Sequence, residues 1–254
     1  MELLCAAAQS VGVRPDRKTT DRFARYFELL EKENLKFNLT GARGWERVRD
    51  ELFIRSMRLL NPAPGGYLPA SDWLPGRKVV DVGAGAGVPG LVLKLLVPEV
   101  RVTLLDSSVK KTAFLRKVEK DLQLEGIEVI TARAEDAGRM TEHREEYDLV
   151  VSRGVARLPE LAELTLPFAA VGGTVISAKG PGIAGEVRDA EYAAAVLGAA
   201  PAITETVSSP GAMPPDTLVY WLKISSTPDQ YPRRSGVPHT SPLIEAAARQ
   251  TAHH

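Results

Sequence analysis

KVVDVGAGAGVPG, residues 78–90, carries two glycine fingerprints at once: GAGAG over 83–87 and GxGxxG over 85–90. Glycine reaches backbone conformations closed to other residues and lets the chain approach a neighbour closely. Placed after the apolar, β-branched run 79–82, these glycines make a strand-to-helix turn. A nucleotide seat needs such a turn, and so does a helix packed tightly on a sheet, so the motif alone does not separate the two.

Downstream, 100–105, 127–131, 149–152 and 174–178 repeat the short, β-branched, almost wholly apolar character of 79–82. The segments between them, such as SSVKKTAFLRKVEKDLQL, have helical period. Strands buried on both faces and alternating with helices build an α/β fold. Its parallel, Rossmann-like sheet carries helices on both sides and binds its ligand at the carboxyl ends of the strands. A late strand is expected over 217–224. Upstream, 17–37 places Phe23, Tyr26, Phe27 and Leu30 at helical spacing, with Thr20 or Asp21 to cap the start, and 45–60 repeats a helical pattern. The stretch NPAPGGYLPASDWLPG then breaks the chain. The expected organisation is an N-terminal helical region (1–75), a core (76–225) and a basic, Pro-rich tail (226–254) with no core-forming pattern.

A chain of 254 residues with 44% hydrophobic side chains can bury one sizeable core and a small accessory element. Lys plus Arg and Asp plus Glu number 32 each, so any polyanion site must be a local patch. Cys5 is the only cysteine, which excludes disulfide scaffolds, thiolate metal clusters and CxxC redox chemistry and suits a reducing cytoplasm. MELLCAAAQSVGV lacks the basic start of a signal peptide, and no run approaches the ~20 apolar residues of a membrane span. The expectation is a soluble, cytoplasmic monomer.

Acids stand at the strand ends: Asp81 inside the first turn, Asp106 after the second strand, Glu135 and Asp136 after the third. A pyrophosphate would be repelled there, whereas S-adenosylmethionine carries an ammonium and a sulfonium that a negative rim attracts. Pro89 leans the same way, having no N–H to offer a phosphate. Asp106 serves either class, since a carboxylate about 20 residues past the glycines binds a ribose diol in both. The reading is a methyltransferase using S-adenosylmethionine; a nicotinamide-dependent oxidoreductase is the alternative.

The segments FNLTG (37–41), VVDVGAGAGVPG (79–90), LLDSSVKKTAFL (104–115), ARAED (132–136), VVSRGVARLPELAELTLPF (150–168), GGTVISAKG (172–180) and YPRRSGVP (231–238) follow one another in the chain. In that combination the sequence resembles the bacterial 16S rRNA guanine-N7 methyltransferase G family, also called glucose-inhibited division protein B. The resemblance implies methyl transfer from S-adenosylmethionine to N7 of one guanine in the decoding-region loop of 16S rRNA. The partner would be the small ribosomal subunit or its assembly intermediate. A non-catalytic RNA-binding ribosome-assembly factor on the same fold is a further alternative. Carried over position by position, the implied cofactor contacts are Gly83 and Val88, Asp106, Ser107 and Ser108, Ala134 and Glu135, and Arg153; Asp81, Gly85 and Gly87 complete the motif. The chain departs from the family where Leu52 and Arg55 stand in place of a His and an Asp, Thr240 in place of a Lys and Ser235 in place of a Pro.

Guanine N7 has a lone pair in the ring plane, so its methylation needs no general base. The chain has no NPPY-type tetrapeptide, and Cys5 lies far from any strand end. Catalysis then rests on alignment and charge stabilisation. Arg153, following YDLVVS, is the first candidate to shape the site; an ion pair with Glu163 is its purely structural alternative. Lys179, Arg233 and Arg234 are candidate RNA contacts, and cations cluster over 43–58 and 110–117. His143, His253 and His254 show no ligand spacing, so no metal is expected.

Overall fold

The computed structural model describes residues 1–60, 69–211 and 213–245. Most of the Pro/Gly-rich break, 61–68, and the terminal His253 and His254 lie outside the described residues. Seven strands form one sheet: β1 (Lys78–Val82), β2 (Arg101–Asp106), β3 (Ile127–Thr131), β4 (Tyr147–Arg153), β5 (Ala169–Lys179), β6 (Ile203–Val207) and β7 (Asp216–Leu222). Their order is β3-β2-β1-β4-β5-β7-β6, with β1 to β5 parallel and β7 antiparallel to both β5 and β6. The parallel part is the doubly wound α/β arrangement expected from the alternation. The order reverses between β1 and β4, which puts the ligand-binding crevice at their carboxyl ends. The insertion of β7 between β5 and β6 was not read from the sequence.

Alternate side chains of each strand feed two apolar cores. Val79, Leu104, Leu149 and Ile176 face one side, where the helices Glu2–Ser10, Arg17–Asn34, Gly90–Leu96 and Val109–Asp121 pack. Val80, Leu105, Val150 and Val175 face the other, covered by Leu158–Thr165 and Ala184–Val196. The N-terminal helices therefore share the core of the sheet. Among the described residues no helix is long and apolar enough to cross a membrane.

Three local expectations are corrected. Arg17–Asn34 is capped by Asp16, whose carboxylate accepts from the Thr19 N–H at 2.7 Å, one position before the helix starts and not at Thr20 or Asp21. The second helical pattern is broken: a π-helical turn, Val48–Ile54, separates Gly44–Arg47 from Arg55–Met57. The tail, expected to lack core contacts, is docked. Thr227, Pro232, Pro238 and Leu243 are buried, because the polar groups of the core supply what apolar periodicity does not.

Candidate functional site

At the carboxyl ends of β1 to β4 lies a cavity of about 250 Å³. Gly83 comes to it from the glycine turn, Asp106 and Ser107 from the end of β2, Ala134 and Glu135 from beyond β3, and Gly154 and Val155 from beyond β4. The turn is held from below: the N–H groups of Gly83 and Ala84 both donate to the Leu105 carbonyl, at 2.8 and 2.9 Å. Gly83 has φ +77°, and a Cβ there would lie 2.7 Å from Val155 Cγ2. Only glycine lets the turn close against the end of β4 and leave the cavity floor clear.

Asp106 is 7% exposed and organises the site. Its Oδ2 accepts from the Gly85 N–H and its Oδ1 from the Ser108 N–H, each at 2.9 Å. An ionised carboxylate offers about four acceptor positions, so two remain for a vicinal diol. These residues fit the nucleoside part of S-adenosylmethionine: a glycine floor, a fixed acceptor for ribose hydroxyls, and Glu135 on the facing wall.

Other expected contacts lie elsewhere. Gly85 and Ser108 act on the cavity through Asp106. Gly87 and Val88 are packed beneath the turn, where a Cβ on Gly87 would lie 2.4 Å from Leu91 Cδ1 and 2.7 Å from the Tyr26 hydroxyl. That hydroxyl, read in the sequence only as part of an apolar helix face, donates to the Ala86 carbonyl and ties an N-terminal helix to the turn. Lys111, with Nζ 3.7 Å from Asp106 Oδ2, and Arg133 also line the cavity. The rim is thus balanced in charge, and the expected ring of acids is corrected.

Asp81 is the largest correction. Far from standing at the mouth, it is fully buried in β1, with Oδ2 accepting from the Gly90 N–H at 2.7 Å and Oδ1 without a partner among the described residues. The carboxyl thereby fills the place at the helix N-terminus that a phosphate would take, while Pro89 has no N–H to give. This geometry disfavours a pyrophosphate cradle, since the Gly90 N–H is already taken. Burial pushes the Asp81 carboxyl up to about 7, against the pull of the Gly90 N–H and Arg153. With an ordinary value of 3.8, the folded protein holds a proton between about pH 4 and about pH 7 that the unfolded chain has released. Stability from this group is therefore complete at low pH and lost as pH rises through that window. Asp81→Asn keeps an acceptor for Gly90 and cannot titrate. Its stability relative to the parent is expected to rise from about pH 4 to about pH 7 and level off above. Parallel urea-unfolding profiles for the two proteins would contradict this.

Arg153, the last residue of β4, points away from Glu163 and toward the N-terminal helices, so the expected ion-pair alternative is not formed. Its Nη1 donates to the Leu52 carbonyl in the π-turn at 3.2 Å and to Ser56 Oγ at 3.1 Å. Burial, and then Arg55 nearby, lower its guanidinium to about 10, against Asp81 and Asp216, so it stays cationic at neutral pH. Asp216, missed in the sequence, anchors this corner: Arg55 grips both its oxygens, and Arg58 Nη1 donates to Oδ2 at 2.6 Å.

Most candidate RNA contacts are engaged within the protein. Lys179 Nζ donates to the Ala156 carbonyl at 2.9 Å and pairs with Glu186 at 2.7 Å. Arg233 is bonded to the fully buried Glu163, whereas Arg234 is exposed. Arg47 and Arg49 pair with Glu51 and Asp50. His143 is buried with Nδ1 2.8 Å from the Tyr147 hydroxyl. Among the described residues no group of three or more His, Cys, Asp or Glu is placed to hold a metal ion.

The family model described as rRNA small subunit methyltransferase G matches residues 19–211. A ribosomal RNA small subunit methyltransferase G from Roseiflexus sp. (strain RS-1) is 41% identical over 243 residues, covering 96% of this chain and all of that protein. One from Deinococcus deserti is 40% identical over 248 residues, covering 97% of each. With the family model matching most of the chain and relatives at about 40% identity covering 96–97% of it, the protein belongs to the rRNA small subunit methyltransferase G family.

Proposed function

We propose that the protein transfers the methyl group of S-adenosylmethionine to N7 of one guanine in the decoding-region loop of 16S rRNA. Its substrate is the small ribosomal subunit or an assembly intermediate, met in the cytoplasm. The observation that carries this reading is Asp106, fixed by two backbone N–H groups at the carboxyl end of β2, beside the sheet's switch point, in a chain of this family. When bound, the cofactor supplies an electrophilic methyl group on a sulfonium.

Asp106 would hold the ribose hydroxyls, Gly83 leaves the floor open, and Ala134 and Glu135 would border the adenine. N7 presents a free lone pair, so no side chain has to remove a proton. The chain's work is to align the donor and acceptor and to balance charge. Arg153 is fixed through Nη1 and cationic, a ready partner for the methionine carboxylate, an RNA phosphate or the guanine O6 edge.

The test is methyl transfer from labelled S-adenosylmethionine to small subunits from cells lacking the gene, with N7-methylguanine mapped by chemical cleavage. Absence of transfer would refute the proposal, and would leave a non-catalytic assembly factor. In the same assay Arg153→Ala is expected to lower kcat/KM by about 10²-fold, the usual cost of one aligned charge-stabilising donor. Its melting temperature should fall less than that of a core deletion. A melting shift as large as a core deletion with activity retained would assign Arg153 to structure alone.

A further inference from the structure

The segment around 231–238 is bolted to the wall of the cavity by contacts between residues 70 to 101 positions apart. Arg233 donates to Glu163 from its backbone N at 2.7 Å, from Nε at 3.0 Å and from Nη2 at 2.6 Å, and the Glu163 side chain has no exposure. Arg144 reaches across to the Tyr231 and Thr227 carbonyls, each at 2.7 Å. Three residues past the Arg233 anchor, the Gly236 N–H donates to Glu135 Oε1 at 2.8 Å. Gly236 has φ +85°, a conformation that favours glycine, so the turn that aims this N–H is set by its sequence.

Glu135 lines the cavity, and among the described residues no donor reaches its Oε2. A carboxylate with one oxygen pinned presents the other in one direction. The exocyclic amine of adenine is a donor that suits an acceptor so placed.

We propose that the tail is a positioning element for the cofactor: Arg233, anchored on Glu163, seats Gly236 so that its N–H turns Glu135 toward the adenine amino group. This rests on the cofactor reading above and extends it to a segment outside the sheet. Arg233 is thereby a positioning residue and not an RNA contact. Because tail docking and cofactor binding share Glu135, each strengthens the other by the same factor.

The test compares the full-length protein with Arg233→Ala, using S-adenosylhomocysteine and its inosine analogue, in which a carbonyl replaces the amine. By isothermal titration the parent binds S-adenosylhomocysteine and discriminates against the analogue. Arg233→Ala is expected to bind S-adenosylhomocysteine about tenfold more weakly, within the usual range of coupling between sites, and to lose the discrimination. Its KM for S-adenosylmethionine should rise while the KM for the ribosomal subunit stays unchanged.

The variant strands the buried Glu163, so a measurement on the parent protein guards against its failing to fold. Saturating S-adenosylhomocysteine should slow amide hydrogen exchange over 231–238 by about tenfold, as linkage requires. Exchange that the ligand leaves unchanged overturns the proposal. So does a folded Arg233→Ala with parental affinity and discrimination, or one that raises only the KM for the subunit, as Arg234→Ala would if the tail gripped RNA. A parent protein that binds no S-adenosylhomocysteine overturns the cofactor reading itself, and this proposal with it.

Discussion

Asp106→Ala is expected to weaken S-adenosylhomocysteine binding by roughly 10²- to 10⁴-fold, from two hydrogen bonds to an ionised acceptor at about 1.5–3 kcal/mol each. The carboxylate does two things at once. It offers acceptor positions to the ribose, and it fixes the Gly85 and Ser108 N–H groups that shape the cavity edge. Alanine removes both, so the loss should lie toward the upper end of that range. The fold should survive. The freed N–H groups border an open cavity that water can enter, and the stability cost stays near the ~1–3 kcal/mol of an unmade hydrogen bond. Asp106→Asn should fall between the two, since an amide oxygen can accept from one of these N–H groups but its amino group opposes the other. Isothermal titration decides the matter, and undiminished affinity in the alanine variant would show that the nucleotide lies elsewhere.

Asp216→Ala is expected to have the largest effect on stability, about 3–5 kcal/mol, the usual cost of breaking a buried ion pair from one side. The Asp216 side chain has no exposure and that of Arg58 only 1%, whereas the Arg55 side chain is 33% exposed and can turn to water. The cost therefore falls on Arg58. It keeps the Pro214 carbonyl at 2.8 Å and Ser209 at 3.1 Å, but its Nη2 already lacks a partner among the described residues. Replacing Arg58 by Met in the same chain should recover much of the loss, because the stranded charge goes with it. Urea unfolding of the two single variants and the double variant measures this coupling, and simple additivity would contradict it. Although burial alone would raise the Asp216 carboxyl, the hydrogen bonds from Arg55 and Arg58 win and hold it below its ordinary value. Its contribution is therefore present above the unfolded carboxylate value and lost as pH falls through the lower folded one, steepening the acid limb of the parent relative to Asp216→Asn. The exposed Arg25–Asp121 pair, with a similar 2.8 Å contact, should show no comparable loss on truncation.

The parts of the fold that were legible are those with a local cause. Runs such as 79–82 and 149–152 announce strands buried on both faces, because only β-branched apolar residues suit that setting. Gly83 and Asp106, picked out by their position at strand ends, line the cavity. The antiparallel β7 between β5 and β6 had no such signal, since neighbour choice among strands of similar composition is settled by packing. Tyr26 looked like any apolar-face residue; its role depends on a carbonyl 60 positions away.

Charged residues show the limit most plainly. Asp81 read as an exposed acid because a buried carboxylate is costly, yet the Gly90 N–H, nine positions on, offsets part of that cost. Arg233 read as a free tail cation, and Glu163, 70 positions earlier, has taken it. The amino-acid sequence by itself determined the crossover turn and the strand ends, which follow from residue type and short spacing, and its resemblance to known sequences gave the family and with it the class of chemistry. Only the tertiary structure decided which charges face the cavity and which are spent inside the protein. A charge is defined by its desolvation and its partner, and both are brought from distant segments by the packing of the whole chain.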